Sequence, residues 1–291
     1  MKDYCIRVTT GNKEARAFFC TTRNMVEKAR AYHHTTKVAT AALGRTLTAT
    51  SMMGLMMKNS TDKVTVIIKG GGPIGTILTT SNAFGITKGY VTNPNVEVEN
   101  YENGKLNVAK AVGNEGTIKV IKDLGLKEPY NGEYDVVSGE IAQDFTYYFT
   151  VSEQTPSAVA LGVLTKSDEV EQAGGFIVQM MPDATDETIS QIEKNISKLE
   201  SITTMLDKGM TPVDIMNVVL EGLNPIILDE TEVGFECDCS KERVSKALVA
   251  IGKNELRTII EEDKGAEVGC QFCNTKYKFS EEELTNLLNE L

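Results

Sequence analysis

No stretch of this chain approaches the ~18 consecutive apolar residues of a membrane-spanning helix. Its first residues, MKDYCIRVTTGN, lack the apolar segment of a secretory signal peptide. Basic residues are also in deficit: 30 Lys and Arg stand against 41 Asp and Glu, a net charge of −11. Nucleic-acid binders draw affinity from basic surface that neutralises phosphates. The acidic balance argues against that class and favours solubility. No internal repeat or low-complexity tract is present. Gly70-Gly71-Gly72-Pro73 lacks the G-x-x-x-x-G-K-[ST] pattern of a phosphate loop, and Pro73 removes a backbone donor, so the run reads as a tight turn. The two histidines, His33 and His34, are adjacent, so their side chains point apart. They have no Cys or acidic partner nearby in sequence, and a surface or cap role is expected. These absences point to a cytoplasmic protein in a reducing compartment and argue against membrane and nucleic-acid partners. In such a compartment clustered cysteines signal metal or redox chemistry more often than structural disulfides.

What is present is an ordinary globular composition, 41% hydrophobic and 24% charged. Residues 1–181 read as a strand-rich N-terminal core domain. Cys5–Thr10 and Ala15–Thr22 flank a Gly11-Asn12 turn, a hairpin signal. Further strands are expected at Val64–Ile68, Ile74–Thr79, Val96–Val98, Thr117–Ile121, Phe145–Val151, Ala158–Leu164 and Gly175–Met180. The intervals are too short for helical crossovers between most pairs, which favours an antiparallel sheet. Thr36–Lys58 breaks the pattern. It is rich in Ala, Leu and Met, strong helix formers, and reads as a helix packed on the sheet. Met52, Met53, Met56 and Met57 are expected in the core.

Residues 182–232 read as a helical linker. Ile189, Ile192, Ile196, Leu199, Met205 and Leu206 recur at helical steps, with Thr185 or Asp186 as cap and Gly209 as terminator. Thr211-Pro212-Val213-Asp214 is a capping-box start for a second helix carrying Met216, Val219, Leu220 and Leu223. Each helix has one apolar stripe, which must rest on another surface. Residues 233–291 form a small third unit. Ser240 caps a helix that ends at Gly252. Leu256, Ile259 and Ile260 mark a shorter one. Ser280-Glu281-Glu282-Glu283 opens a last helix bearing Leu284, Leu287, Leu288 and Leu291. The expected class is α+β: a largely antiparallel sheet domain with a packed helix, a helical linker and a small C-terminal zinc-binding domain.

Four of the six cysteines fall in this last unit, as Cys237-Asp238-Cys239 and Cys270-Gln271-Phe272-Cys273. Two such pairs brought together make a tetrahedral sulfur cage, the geometry zinc accepts. Thirty residues separate Cys239 from Cys270, longer than the ~15–20 of common ribbon-type sites. A unit of this size, with few aromatics, is marginal without metal, so zinc binding and folding should be coupled. From the residues alone a permanent zinc knuckle and a switch both remain open. So do a zinc-dependent regulatory or nucleic-acid-binding protein and a thiol oxidoreductase, although the unit is acidic, with 12 acidic against 8 basic residues. Cys5 and Cys20 sit in strand-like contexts and read as small hydrophobes.

The C-x-C and C-x-x-C pairs resemble the signature of the bacterial redox-regulated heat-shock chaperones of 33 kDa, the 33 kDa chaperonin family. The resemblance extends through Ala41–Arg45, Gly70–Gly75, Val120–Gly125, Ser138–Ile141 with Tyr147-Tyr148, Ser152–Ser157 and Ala173–Phe176. It implies one Zn²⁺ per chain on Cys237, Cys239, Cys270 and Cys273 in a reduced, inactive form. It implies that oxidants such as peroxide or hypochlorous acid release the ion and form two disulfides, Cys237–Cys239 and Cys270–Cys273. It further implies that the C-terminal domain and linker then lose structure. The resemblance also implies that the activated form, expected as a homodimer and not an enzyme, holds unfolding clients without ATP during oxidative and heat stress.

Overall fold

The computed structural model describes residues 2–289; Leu291, expected on the last helix, lies outside them. The chain opens with the antiparallel hairpin of β1 (Tyr4–Thr9) and β2 (Ala15–Thr21). Helix α1 (Arg23–His33) follows, an element absent from the sequence reading. Its first amides are met by a distant group: the Asp3 carboxylate accepts from the Asn24 and Met25 N–H at 3.1 and 2.6 Å. Helix α2 (Lys37–Leu55) is the expected Ala-, Leu- and Met-rich helix, buried on nearly every side. Met52 and Met53 lie in the core and Met56 packs against it. Thr46, Thr48 and Thr50 donate to the carbonyls of Ala42, Gly44 and Thr46, each at 2.8 Å, so their buried hydroxyls are satisfied within the helix.

Next come β3 (Lys63–Lys69), β4 (Thr76–Asn82) and β5 (Ile86–Val91). The turn after β3 is the glycine run. A Cβ on Gly70 would lie 2.4 Å from the Val112 carbonyl oxygen, so close backbone approach demands glycine there. The short α3 (Val108–Val112), β6 (Thr117–Asp123) and β7 (Tyr130–Asp135) complete this stretch.

Two expected strands are corrected here. Phe145–Val151 belongs to helix α4 (Ala142–Val151). Its aromatic and β-branched residues suggest a strand, but Phe145, Tyr148 and Phe149 are buried at helical spacing. The buried Asp144 carboxylate accepts from the amides of Val137, Ser138 and Ile141 at 2.8–2.9 Å, which fixes the start of the helix. Val96–Val98 forms no strand; the Val96 carbonyl accepts from Thr36 Oγ1 at 2.6 Å instead of a ladder partner.

The long hairpin of β8 (Ser157–Lys166) and β9 (Glu169–Met180) leads into α5 (Asp186–Ile196), α6 (Ile202–Asp207) and α7 (Pro212–Val219). The single helix expected through Leu206 is therefore two. Ser201 caps α6 by accepting from the Thr204 amide, so the chain breaks and restarts between them. The capping box of Thr211 and Asp214 stands as expected. Strands β10 (Ile226–Glu232) and β11 (Gly234–Phe235) follow.

Among the described residues, one sheet has the order β10-β1-β2-β9-β8 and another β11-β5-β4-β3-β6-β7. All pairings are antiparallel except β11 with β5. Helix α2 packs against strands of both sheets. The expected α+β class, with a largely antiparallel sheet and a packed helix, is what the structure has.

The five-stranded sheet has two apolar faces, because alternate residues point to opposite sides. Cys5, Phe18, Cys20 and Ile177 join the main core with α1 and α2. Ile6, Val8, Ala17, Phe19, Phe176 and Val178 face the other way and are covered by Ile192, Met205, Leu206, Ile215, Met216 and Val219 of α5–α7. The apolar stripes of 182–232 thus rest on this sheet.

The chain divides into two compact units, Met1–Glu236 and Cys237–Leu291. The second holds α8 (Lys241–Ala250), α9 (Lys253–Asp263), the hairpin of β12 (Gly265–Gly269) and β13 (Lys276–Ser280), and α10 (Glu281–Asn289). Ser240 caps α8, and Ser280 and Glu283 exchange backbone bonds at the start of α10, as the sequence indicates. Its apolar core is small: among the described residues, Leu248, Leu256, Phe279 and Leu284 are the buried side chains of its hydrophobic cluster.

Candidate metal centre

The four cysteines of the second unit come from two kinds of backbone. Cys237 and Cys239 lie on the extended segment that ends at the Ser240 cap of α8. Cys270 and Cys273 lie in the turn between β12 and β13. That turn is closed by Cys270 N–H donating to the Thr275 carbonyl at 2.9 Å and by Asn274 N–H donating to the Cys270 carbonyl at 2.7 Å. Asn274 adopts a left-handed φ of 57°, which Asn tolerates better than most residues. The C-x-C segment is held by Arg243, which pairs with the Asp238 carboxylate and donates to its carbonyl at 3.0 Å.

These elements bring all four sulfurs within 4.8 Å of one another. The Cys237 and Cys270 sulfurs are 3.6 Å apart, and those of Cys239 and Cys273 are 3.4 Å apart. Four sulfurs at ~2.3 Å from one tetrahedral ion lie about 3.8 Å apart. The cluster therefore already has the dimensions of a tetrathiolate cage. Cys273 is buried and the other three are half-buried.

The thiols have unlike surroundings. Burial pushes the Cys237 thiol well above the ordinary range and raises that of Cys270. Burial acts the same way on Cys273, but hydrogen bonds from the Thr275 hydroxyl and amide outweigh it and bring that thiol down to about 7. The hydrogen bond between Tyr277 and Cys239 raises the phenol to about 12. Four thiolates cannot share so small a space without a cation. All four donors are soft sulfurs and, among the described residues, no carboxylate or imidazole completes the set, a composition suited to a thiophilic ion such as Zn²⁺.

The surrounding residues Asp238, Arg243, Thr275 and Tyr277 were not identified from sequence. Their only linear signal is proximity to a cysteine, which most neighbours of a ligand share. The two histidines stand apart from the centre. His34 ends α1 in a left-handed conformation, its N–H donating to the Arg30 carbonyl at 2.7 Å. His33 is buried, with Nε2 3.1 Å from the Gly89 carbonyl.

Cys5 and Cys20 need a correction. Both are buried, but they are not separate small hydrophobes: they form a disulfide across β1 and β2. They sit directly opposite one another in the hairpin register. Counting outward in equal steps from Thr10 and Ala15 would have found the pair.

The sequence model of the Hsp33 protein family matches residues 3–280. A 33 kDa chaperonin of Clostridioides difficile (strain 630) is 72% identical over 291 residues, with each chain covered in full. A 33 kDa chaperonin of Alkaliphilus metalliredigens is 52% identical, again with full coverage of both. The crystal structure of a 33 kDa chaperonin (heat shock protein 33 homolog) from Thermotoga maritima superposes with a TM-score of 0.92 at 37% identity, covering 100% of this chain and 99% of the other.

Proposed function

This chain belongs to the Hsp33 protein family, and from that premise we propose that it is a redox-regulated, ATP-independent holdase. In this reading Cys237, Cys239, Cys270 and Cys273 hold one Zn²⁺ per chain while reduced, and the protein is then inactive. The observation that carries it is the gathering of four sulfurs, at the spacing of a tetrathiolate cage, inside a unit with few buried side chains. A bound Zn²⁺ keeps the thiols deprotonated at neutral pH and supplies folding free energy to the unit around it.

Oxidation by a hydroperoxide runs in two steps at each pair. One thiolate attacks the O–O bond; an S–O bond forms and the departing oxygen takes a proton. The neighbouring thiol then attacks that sulfur, an S–S bond forms and water leaves. Two peroxides consume four thiols per chain. The pairing is assigned within each motif, Cys237–Cys239 and Cys270–Cys273, although sulfurs also lie close across the motifs. A crosswise pair would close the α8–α9 loop covalently and restrain the unit. A pair within one motif leaves that loop free to unfold.

The C-terminal unit, from Cys237 onward, then loses its fold, and the linker over 182–232 loosens after it. Loosening uncovers Ile6, Val8, Phe19, Phe176 and Val178 on the sheet, together with the apolar stripes of α5–α7. Unfolding clients expose similar apolar surface and bind there. The activated chain acts as a homodimer in the cytoplasm. The test is suppression of aggregation of a denatured protein by reduced and by peroxide-treated samples, with released zinc titrated in parallel. Protection by the oxidised sample alone, together with one zinc released per chain, is expected. Equal protection by both samples excludes redox control.

A further inference from the structure

Outside the four-cysteine cluster the chain carries a second sulfur pair. Cys5 and Cys20 lie directly opposite on β1 and β2, with Cα atoms 4.1 Å apart and side chains only 1% and 2% exposed. They sit on the face of the sheet turned away from α5–α7. Cys5 is also the register partner of Thr231 on β10, and Cys20 of Gly175 on β9. Strand β1 is thus the N-terminal strand, held between β2 and β10.

That position gives the pair a purpose. Strand β10 is the edge of its sheet, and its Ile226, Ile227 and Leu228 are exposed. It is paired on one side only, to β1, with the Arg7–Asp229 and Lys2–Glu232 ion pairs alongside, and in sequence it lies between α7 and the four-cysteine unit. If β10 leaves, β1 becomes the edge strand of its sheet, and an edge paired on one side only opens more readily. Ile6 and Val8 on β1 belong to the surface beneath α5–α7.

We infer that Cys5 and Cys20 form a second, independent redox centre whose disulfide pins β1 to β2 and keeps this surface folded when β10 and the helices release. The last clause rests on the function proposed above; the disulfide itself does not. Formation takes one hydroperoxide: one thiolate attacks it to give a sulfenic acid and the departing oxygen takes a proton. The second thiol attacks that sulfur, and water leaves as the S–S bond closes. A dithiol reductant reverses it by exchange, its own sulfurs ending as a disulfide. Both sulfurs are shut from solvent, so oxidation in the folded protein waits for β1 to open and is slower than at the four-cysteine cluster.

The experiment uses the full chain with all four cluster cysteines replaced by serine, so that Cys5 and Cys20 are the only thiols. After peroxide treatment, alkylation under denaturing conditions should find no free thiol, and non-reducing peptide mapping should recover a Cys5–Cys20 linked peptide. Closing a loop of this length should raise the melting temperature over the dithiol-reduced sample by about 6–12 °C. C5A/C20A in the same background should melt identically with and without reductant. Two free thiols after prolonged peroxide treatment, or a linked peptide with no melting shift, overturns the inference. A separate assay of the otherwise native chain keeps the two proposals apart. Failure of that oxidised chain to suppress aggregation counts against the holdase reading and leaves the Cys5–Cys20 result standing.

Discussion

The Tyr277 hydroxyl donates to Cys239 Sγ at 3.1 Å, so the last strand of the second unit reaches back across 38 residues to the first cysteine motif. A hydrogen bond to a thiolate offsets part of its charge and fixes the lone pair that faces a metal. Tyr277→Phe keeps the ring and removes the donor. Zinc affinity in a chelator competition is expected to fall roughly 10-fold, at the lower end of what loss of an outer-sphere partner produces. Unchanged affinity means the hydroxyl faces the sulfur without stabilising it.

Cys270→Ser and Cys273→Ser each remove one sulfur from the cage. On the proposed reading both variants should lose tight zinc binding, and hydrogen exchange over residues 237–289 should speed up even in reductant, as expected of a small unit whose folding is coupled to a metal. Cys5→Ala and Cys20→Ala should leave zinc stoichiometry at one per chain, since both residues lie in the core of the other unit. Zinc loss in either of these last two means the ligand set is wrong.

The four-cysteine cluster was legible in the sequence because it is carried by local spacing: two close pairs in one short unit. So were the capping box at Thr211 and Asp214, the buried helix after Thr36 and the hairpin at Gly11-Asn12. What escaped depends on contacts between distant residues. Helix α1 is capped by Asp3, which lies on the far side of the hairpin. Helix α4 owes its start to Asp144 gathering four amides, while its composition favours a strand. The break between α5 and α6 is set by Ser201, one residue that periodicity averages over. The Cys5–Cys20 bond needed the register of the hairpin as well as its existence.

Glu27 links α1 to β9. It pairs with Arg30 at 2.6 Å and accepts from the Val170 amide at 2.9 Å. The Arg30 hydrogen bond holds the Glu27 carboxyl below the usual range against partial burial. A carboxyl lowered on folding adds stability above its unfolded value and loses it as pH falls through its folded one. Glu27→Gln should therefore cost about 1 kcal/mol at pH 7. The gap to the native chain should narrow as pH drops below the ordinary value of 4.5. Melting temperatures of both proteins across pH 3.5–8 check this, and a gap that widens toward acid contradicts it.

Met216 on α7 decides whether the linker helices are the cover of the client surface. It is buried in the cluster shared with Ile6, Val8, Phe19 and Phe176. Met216→Asp places a carboxylate on that apolar surface, and no Lys or Arg is buried among the described residues. An unpaired buried charge costs several kcal/mol, so the helix should lift from the sheet to hydrate it. A helix as short as α7 has little stability apart from its packing, so it should then fray. The four cysteines lie in the other unit and keep their ligand geometry. The expected result is a reduced chain that still holds one zinc, loses hydrogen-exchange protection over Pro212–Val219, and suppresses aggregation without oxidant. Loss of protection with no gain in holdase activity means that uncovering this face is not what activates the protein. The client surface must then be sought in the C-terminal unit.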